Sequence, residues 1–234
     1  MENRVLLEES FLVDSKTTYY YFKKLNKTLS LIVAIFPILK GAIEFKFTSM
    51  AIYILCALIL YLPYWLEKKW EIIVLEECKF VTIIHIALHT VLGKTFHFYQ
   101  TFPIFDSILH ILGGGWLFIL ITPFVLSIEM EFTSLPQHQI NIKSSIISFA
   151  LVNLVGVFWE IFEFVSDLIF ANTPGYYLSQ EGSLFDTMTD IIENNIGLLL
   201  YCFIFWKLIS FQDKRGRNIL NIFRKILPYN HKLN

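Results

Sequence analysis

The chain has 234 residues, of which 55% are hydrophobic and 17% charged, with a formal net charge of −1. Soluble globular proteins carry about 25% charged residues. This composition therefore excludes an ordinary soluble domain and indicates a polytopic helical membrane protein. The near-zero net charge and the lack of a basic–aromatic patch give no sign of nucleic-acid binding.

Six apolar segments, each long enough to cross a membrane, follow one another along the chain. The predicted fold is all-α, a bundle of six transmembrane helices at residues 29–45, 48–66, 80–96, 104–128, 144–171 and 184–208. A polar cytosolic segment (residues 1–28) precedes this transmembrane domain (residues 29–210), and a basic cytosolic tail (residues 211–234) follows it. The apolar residues of the tail predict an amphipathic helix on an anionic membrane surface.

The distribution of basic residues predicts the orientation of the bundle. With both termini in the cytosol, sixteen lysine and arginine residues fall on the inner side and three on the outer side. Loops on the cytosolic side of a membrane carry the excess of basic residues. We therefore expect a multi-pass protein of the cytoplasmic membrane with both termini inside.

The fifth predicted span carries polar residues along one helical face. Asn153, Gly156, Glu160, Glu163 and Asp167 follow the spacing i, i+3, i+7, i+10, i+14, which forms a single stripe. A carboxylate in hydrocarbon costs about 2.5–3.5 kcal/mol even on lenient insertion scales. We therefore expect Glu160 and Glu163 to face the bundle interior, with Asp167 solvated near the interface.

Three other predicted spans contribute polar pairs that are one helical turn apart. These pairs are His85 with His89, Asp106 with His110, and Asp186 with Asp190. In the predicted topology all of them except the deeper His85 fall in the outer half of the bundle, at the depth of the fifth-span acids. The sequence therefore predicts one shared polar site in that half.

Histidine and carboxylate pairs on neighbouring helices are typical of metal sites inside bundles. Five carboxyl groups with no lysine or arginine near them in spans four to six would repel one another unless a cation lies among them. The predicted metal ligands are Asp106, His110, Glu160, Glu163, Asp186 and Asp190. A mixed imidazole and carboxylate set favours Zn²⁺, Mn²⁺ or Fe, whereas Ca²⁺ or Mg²⁺, the weaker expectation, would use an all-oxygen subset.

Several of these residues also have a purely structural interpretation. Ser183 and Asp186 match a capping box that would start the sixth helix, and Asp106 stands in the first turn of the fourth, where acids are stabilised. His85 fits a hydrogen-bonded core residue better than a ligand. The glycine run at residues 113–115 is typical of close helix packing.

These motifs together resemble the YjdF-like inner-membrane proteins of bacteria and archaea. The similarity covers roughly residues 80–205 and rests on His89, Gly93 and the segments HFYQTFP, FDSILHILGG, WEIFEF and GSLFDTMTDIIENNIG. The resemblance implies that the shared polar positions of that family fall on the six predicted ligands, and it implies a site without a particular reaction. FDSILHILGG is also weakly similar to the aspartate–histidine signature of VanZ-like membrane proteins.

Three functions are compatible with such a site. A metal-dependent enzyme would act on a lipid-linked or envelope substrate from the outer leaflet, with Glu160, Glu163 or His89 as the catalytic base. A cation- or proton-coupled small transporter would use the acids to bind an ion or relay protons. An accessory or structural protein would use them only to join helices. Membrane lipids are the expected partners, together with the lipid-linked substrate for the enzyme.

Overall fold

The computed structural model describes residues 16–45, 47–173, 176–180, 183–215, 219–224 and 226, among which there is no strand. The helices are α1 (Lys16–Ile43), α2 (Phe47–Trp70), α3 (Glu76–Ala87), α4 (Phe98–Thr101), α5 (Phe105–Phe132), α6 (Gln137–Phe170), α7 (Leu184–Lys214) and α8 (Ile219–Phe223). Helix α3 continues directly as a π-helix, Leu88–Thr95. The predicted all-α membrane fold is confirmed.

Five helices, α1, α2, α5, α6 and α7, are long and apolar enough to cross a membrane. The remaining predicted span, at residues 80–96, corresponds to α3 and the π-helix that continues it. Helix α1 already begins at Lys16, so residues 16–28 extend the first helix. Residues 1–15 lie outside the described part of the chain.

Helices α1, α2 and α3 are joined by a buried ionic network. Lys79 on α3 is only 2% exposed, and its amine lies 2.7 Å from a carboxylate oxygen of both Glu67 on α2 and Glu76 on α3. Asn26 on α1 donates a hydrogen bond of 2.8 Å to the Glu76 carboxylate. Buried charges are stable only when they are paired. The network therefore holds the three helices in one arrangement.

Helices α5 and α7 are in direct backbone contact. A Cβ atom on Gly114 of α5 would overlap the carbonyl oxygen of Asn194, and one on Gly197 of α7 would overlap that of Ile111. A Cβ atom on Gly115 would overlap the ring of Tyr201. The glycine run predicted to allow close packing does so, as small residues do in membrane bundles.

The tail packs on the protein itself at the end of the bundle where α5 terminates. Ile219, Phe223 and Ile226 are buried, and the Phe223 ring stacks on Phe205 with 5.9 Å between ring centroids. The Ile73 backbone N–H donates to the Ile226 carbonyl at 2.9 Å. The prediction of a surface helix is wrong for residues 219–224 and 226, because the bundle already covers the side chains of Ile219, Phe223 and Ile226. Residues 216–218, 225 and 227–234 lie outside the described residues.

We expect Gly114→Ala to lower the free energy of unfolding by about 1–3 kcal/mol, because its methyl group forces α5 and α7 apart. Gly156→Ala on α6 is the matched control, since its Cβ would meet only the Asn194 side chain at 3.6 Å. Thermal unfolding in detergent measures both variants. Equal stability of the two would contradict a direct backbone contact.

The predicted orientation is tested by cysteine labelling in intact cells. Asn172→Cys, exposed just after α6, should react with a membrane-impermeant maleimide, whereas Lys214→Cys, exposed at the end of α7, should react only after permeabilisation. The parent protein controls for the native cysteines. The reverse pattern would show that the bundle is inserted the other way round.

Candidate metal centre

The six predicted ligands lie together at one end of the bundle, which we call the site end. Helices α5, α6 and α7 each contribute two of them. Four ligand atoms lie within 4.8 Å of one another, one each from His110, Glu160, Glu163 and Asp190. A second group within the same distance comprises atoms of Asp106, Asp186 and Asp190. Asp190 therefore belongs to both groups.

The α5–α7 backbone contact explains why short side chains can meet at the site end. On α5, Asp106, His110 and Gly114 follow the spacing i, i+4, i+8, so the site face continues into the glycine contact. On α7, Asp190 precedes Gly197 by seven residues and lies on the same face. The close approach of the two helices places a carboxylate oxygen of Asp190 3.6 Å from Nε2 of His110.

His110 is oriented by a side chain that the sequence did not identify. The terminal amide of Asn194 lies 3.3 Å from His110 Nδ1, and either of its two terminal atoms can form the hydrogen bond. The ring therefore presents Nε2 to the carboxylates, at 3.6 Å from both Asp106 and Asp190. Partners of this kind usually fix the ring orientation of metal-binding histidines.

Two of the acids are deeply buried and have carboxylate oxygens without a hydrogen bond among the described residues. Glu160 is 4% exposed, and neither of its carboxylate oxygens is hydrogen-bonded, since Gln180 donates to its backbone carbonyl instead. Asp190 is 3% exposed, and its Oδ2 likewise lacks a hydrogen bond. An unsatisfied buried polar group costs about 1–3 kcal/mol, and more when it is charged. A bound cation would satisfy these oxygens.

Asp186 and Asp106 combine a structural position with a place in the cluster. Ser183 caps α7 by accepting a hydrogen bond from the Phe185 N–H, and Asp186 lies in the first turn that follows. Asp106 lies in the first turn of α5. Helix N-termini favour acids, so the structural interpretation and the ligand interpretation are compatible for both residues.

His89 lies beside the cluster in neither ligand group, and Tyr99 orients its ring. Its Nδ1 is 2.6 Å from the Tyr99 hydroxyl, and its ring is 8% exposed. Burial raises the pKa of Tyr99 well above its ordinary value, so the phenol keeps its proton. The hydroxyl can therefore donate to Nδ1, and the ring then carries its proton on Nε2. In that tautomer His89 presents a hydrogen-bond donor through Nε2, and its role as a base stays a prediction.

The π-helix brings His89 and Tyr99 together. The Phe96 N–H bonds to the Val91 carbonyl five residues earlier, at 2.9 Å. A Cβ atom on Gly93 would overlap the Tyr99 ring, so glycine is required for this approach. Segments of π-helix occur frequently at functional sites.

Two cavities meet at the acidic cluster. An inner cavity of about 190 Å³ is lined mainly by apolar surface, and its polar lining includes His89, His110, Asp106 and Glu163. An outer pocket of about 120 Å³ shares His89, Asp106 and Glu163 with it and adds Lys94. The acids can therefore contact a ligand in either space.

A lateral groove of about 720 Å³ separates α6 from α7 on the outer face of the bundle. Glu160 lies in its wall, and its apolar lining includes the exposed side chains of Ile161, Phe164 and Leu184. These side chains lie within the apolar lengths of α6 and α7. The groove therefore lies between the apolar lengths of α6 and α7, with Glu160 of the acidic cluster in its wall.

Asp167 and His85 are close to the cluster but take no part in it. Asp167 accepts hydrogen bonds from the Tyr176 hydroxyl and from the backbone N–H groups of Ser179 and Gln180, at 2.8–2.9 Å. It anchors the following loop and is half-buried, and its position at the membrane interface stays a prediction. His85 is half-buried and stacks on Trp116 with 4.4 Å between ring centroids, and its Nδ1 has no hydrogen bond among the described residues, unlike the predicted hydrogen-bonded core residue.

The fold and these side chains define a multi-pass helical membrane protein with a buried histidine–carboxylate cluster. The chain belongs to the family described as "Predicted membrane protein (DUF2238)", which matches residues 25–210. The resemblance to YjdF-like proteins is consistent with that family. The chain is also 30% identical over 196 residues to an uncharacterized protein from Thermotoga maritima, covering 83% of this chain and 93% of that protein. No solved structure gives a significant match.

Tyr99→Phe should lower the free energy of unfolding by about 1–3 kcal/mol, because it leaves buried His89 Nδ1 without a donor. Tyr21→Phe is the control, since Tyr21 is 63% exposed on α1. Chemical or thermal unfolding of the two variants in detergent gives the comparison. An effect no larger than that of Tyr21→Phe would show that the hydroxyl does not orient His89.

Proposed function

We propose that the cluster binds a divalent metal ion and that the protein is a membrane enzyme acting on a lipid-linked substrate. The observation that carries the proposal is the group of four ligand atoms within 4.8 Å of one another, from His110, Glu160, Glu163 and Asp190. The unpartnered carboxylate of Glu160 supports it, because a buried charge needs a partner. One imidazole with three carboxylates favours Zn²⁺, Mn²⁺ or Fe.

The surrounding side chains suit a hydrolytic reaction. A bound metal would polarise a phosphoryl or acyl oxygen and activate water. Glu163 lines both cavities, where it can accept a proton from water. His89 faces the same space through Nε2 and can donate a hydrogen bond to a substrate oxygen. Tyr99 holds the His89 ring in place for that role.

The groove between α6 and α7 supports a lipid-linked substrate. Its apolar lining suits an acyl chain that enters sideways from the membrane, with the polar group of the lipid directed to Glu160. Lys94 lines the outer pocket beside Asp106 and Glu163, and its amine lies over the Tyr99 ring at 5.6 Å from the centroid. This lysine can contact an anionic group of the substrate.

Glu163→Gln should lower the metal content sharply while the protein keeps its fold. Glutamine has the shape of the acid but lacks its charge, so the ion loses a ligand and the bundle still assembles. Elemental analysis beside thermal unfolding measures both properties. Glu131→Gln, exposed at the far end of α5, is the matched control.

Lipid turnover is measured on the same proteins in liposomes of a bacterial lipid extract, with mass spectrometry as the readout. We expect a change in lipid headgroup that requires metal and is abolished by a chelator. Metal-dependent cation flux without lipid chemistry would favour the transporter. An absence of metal, with wild-type stability in Glu163→Gln, would leave a structural role for the cluster.

A further inference from the structure

We propose that the site end holds two divalent ions bridged by Asp190. This inference rests on the proposed metal-binding function and extends it. Each of the two ligand groups has its atoms within 4.8 Å of one another, and Asp190 is the residue that they share. The first group adds His110, Glu160 and Glu163, and the second adds Asp106 and Asp186.

Asp190 has the position and the chemistry of a bridging ligand. A carboxylate has two oxygens, and each can bind a different ion. His110 Nε2 is 3.6 Å from Asp106 Oδ1 and 3.6 Å from Asp190 Oδ2, so the two groups adjoin. Ions in two-metal sites lie about 3.5–4 Å apart. The spacing of the ligand atoms is compatible with that separation.

Charge balance also favours a second ion. Five carboxylates offer ligand atoms in the two groups. If all five are ionised, a single divalent ion offsets two of their five negative charges, whereas two ions offset four and leave one. Lys94 lines the outer pocket with Asp106 and Glu163 and can balance that remaining charge. Uncompensated charge in a low-dielectric site is costly.

The burial of Glu160 is an independent sign of a ligand at this place. Its side chain is 96% buried, and both carboxylate oxygens lack hydrogen bonds within the described part of the chain. Without a ligand, each of these two oxygens would need a hydrogen-bond donor from the protein. A cation bound by the first group supplies that partner for Glu160.

The two positions differ in ligand chemistry. The first group contains an imidazole and suits Zn²⁺, Mn²⁺ or Fe, while the second contains only carboxylates and suits Mg²⁺ or Mn²⁺. Mn²⁺ fits both. Paired ions clamp the oxygens of a phosphoryl group. A lipid phosphate ester is therefore the substrate class, with its phosphoryl group bound between the ions and near Lys94.

The test is the metal stoichiometry of the full-length protein, purified in detergent and loaded with Mn²⁺. We expect two ions per chain in the wild type, with the exchange-coupled electron paramagnetic resonance spectrum of a pair. Asp186→Asn should bind one ion and show the spectrum of an isolated ion. Asp190→Asn should lose the coupling and most of the metal. Asp213→Asn, exposed at the other end of α7, should behave as the wild type.

The Asp186→Asn variant still tests the proposal if the Asp190→Asn variant does not fold. Asp186 lies in the first turn of α7, where the Ser183 cap remains, and thermal unfolding verifies that the variant is intact. A wild type with one ion, unchanged in Asp186→Asn, would overturn the two-ion proposal and leave the single-metal enzyme. Absence of bound ions in every protein would overturn both.

Discussion

The backbone contact between α5 and α7 is the constraint on which the site depends. Gly114 and Gly197 let the two helices approach until main-chain atoms touch, and aspartate side chains are too short to meet across a wider gap. In a membrane the association of helices relies on such packing, because lipid offers no hydrophobic driving force. The same contact therefore provides both the stability of this half of the bundle and the convergence of its acids.

The two ends of the bundle bury charge in opposite ways. Around Lys79 each charge has a partner, and the network of Glu67, Glu76 and Asn26 joins helices without needing a ligand. At the site end, carboxylates from three helices converge, and the Glu160 oxygens have no hydrogen-bond partner among the described residues. A network in which acids and bases are paired usually has a structural role. An excess of acids inside a membrane usually marks a functional site.

Helical periodicity was sufficient to predict which acids share a face, because the spacing of Glu160 and Glu163, or of Asp186 and Asp190, depends only on local geometry. Depth within the spans was sufficient to predict that they meet. Tertiary packing decided the remaining features. The pairing of Tyr99 with His89 depends on a π-helix, which the spacing of apolar residues does not predict. The contact of Asn194 with His110 could not be predicted either, because nothing in the sequence distinguishes Asn194 from other polar residues of a span. The burial of the tail depends on the surface that the bundle presents to it.

The π-helix has a consequence for comparing this chain with its relatives. A π-helix is an α-helix that has accommodated one additional residue. Residues 88–95 can therefore contain one residue more than a regular α-helix without shifting the residues on either side. A relative that is one residue shorter here could form a regular helix and still place a histidine at the cavity. A gap in this segment of an alignment would then record a change of helix type, with the site itself retained.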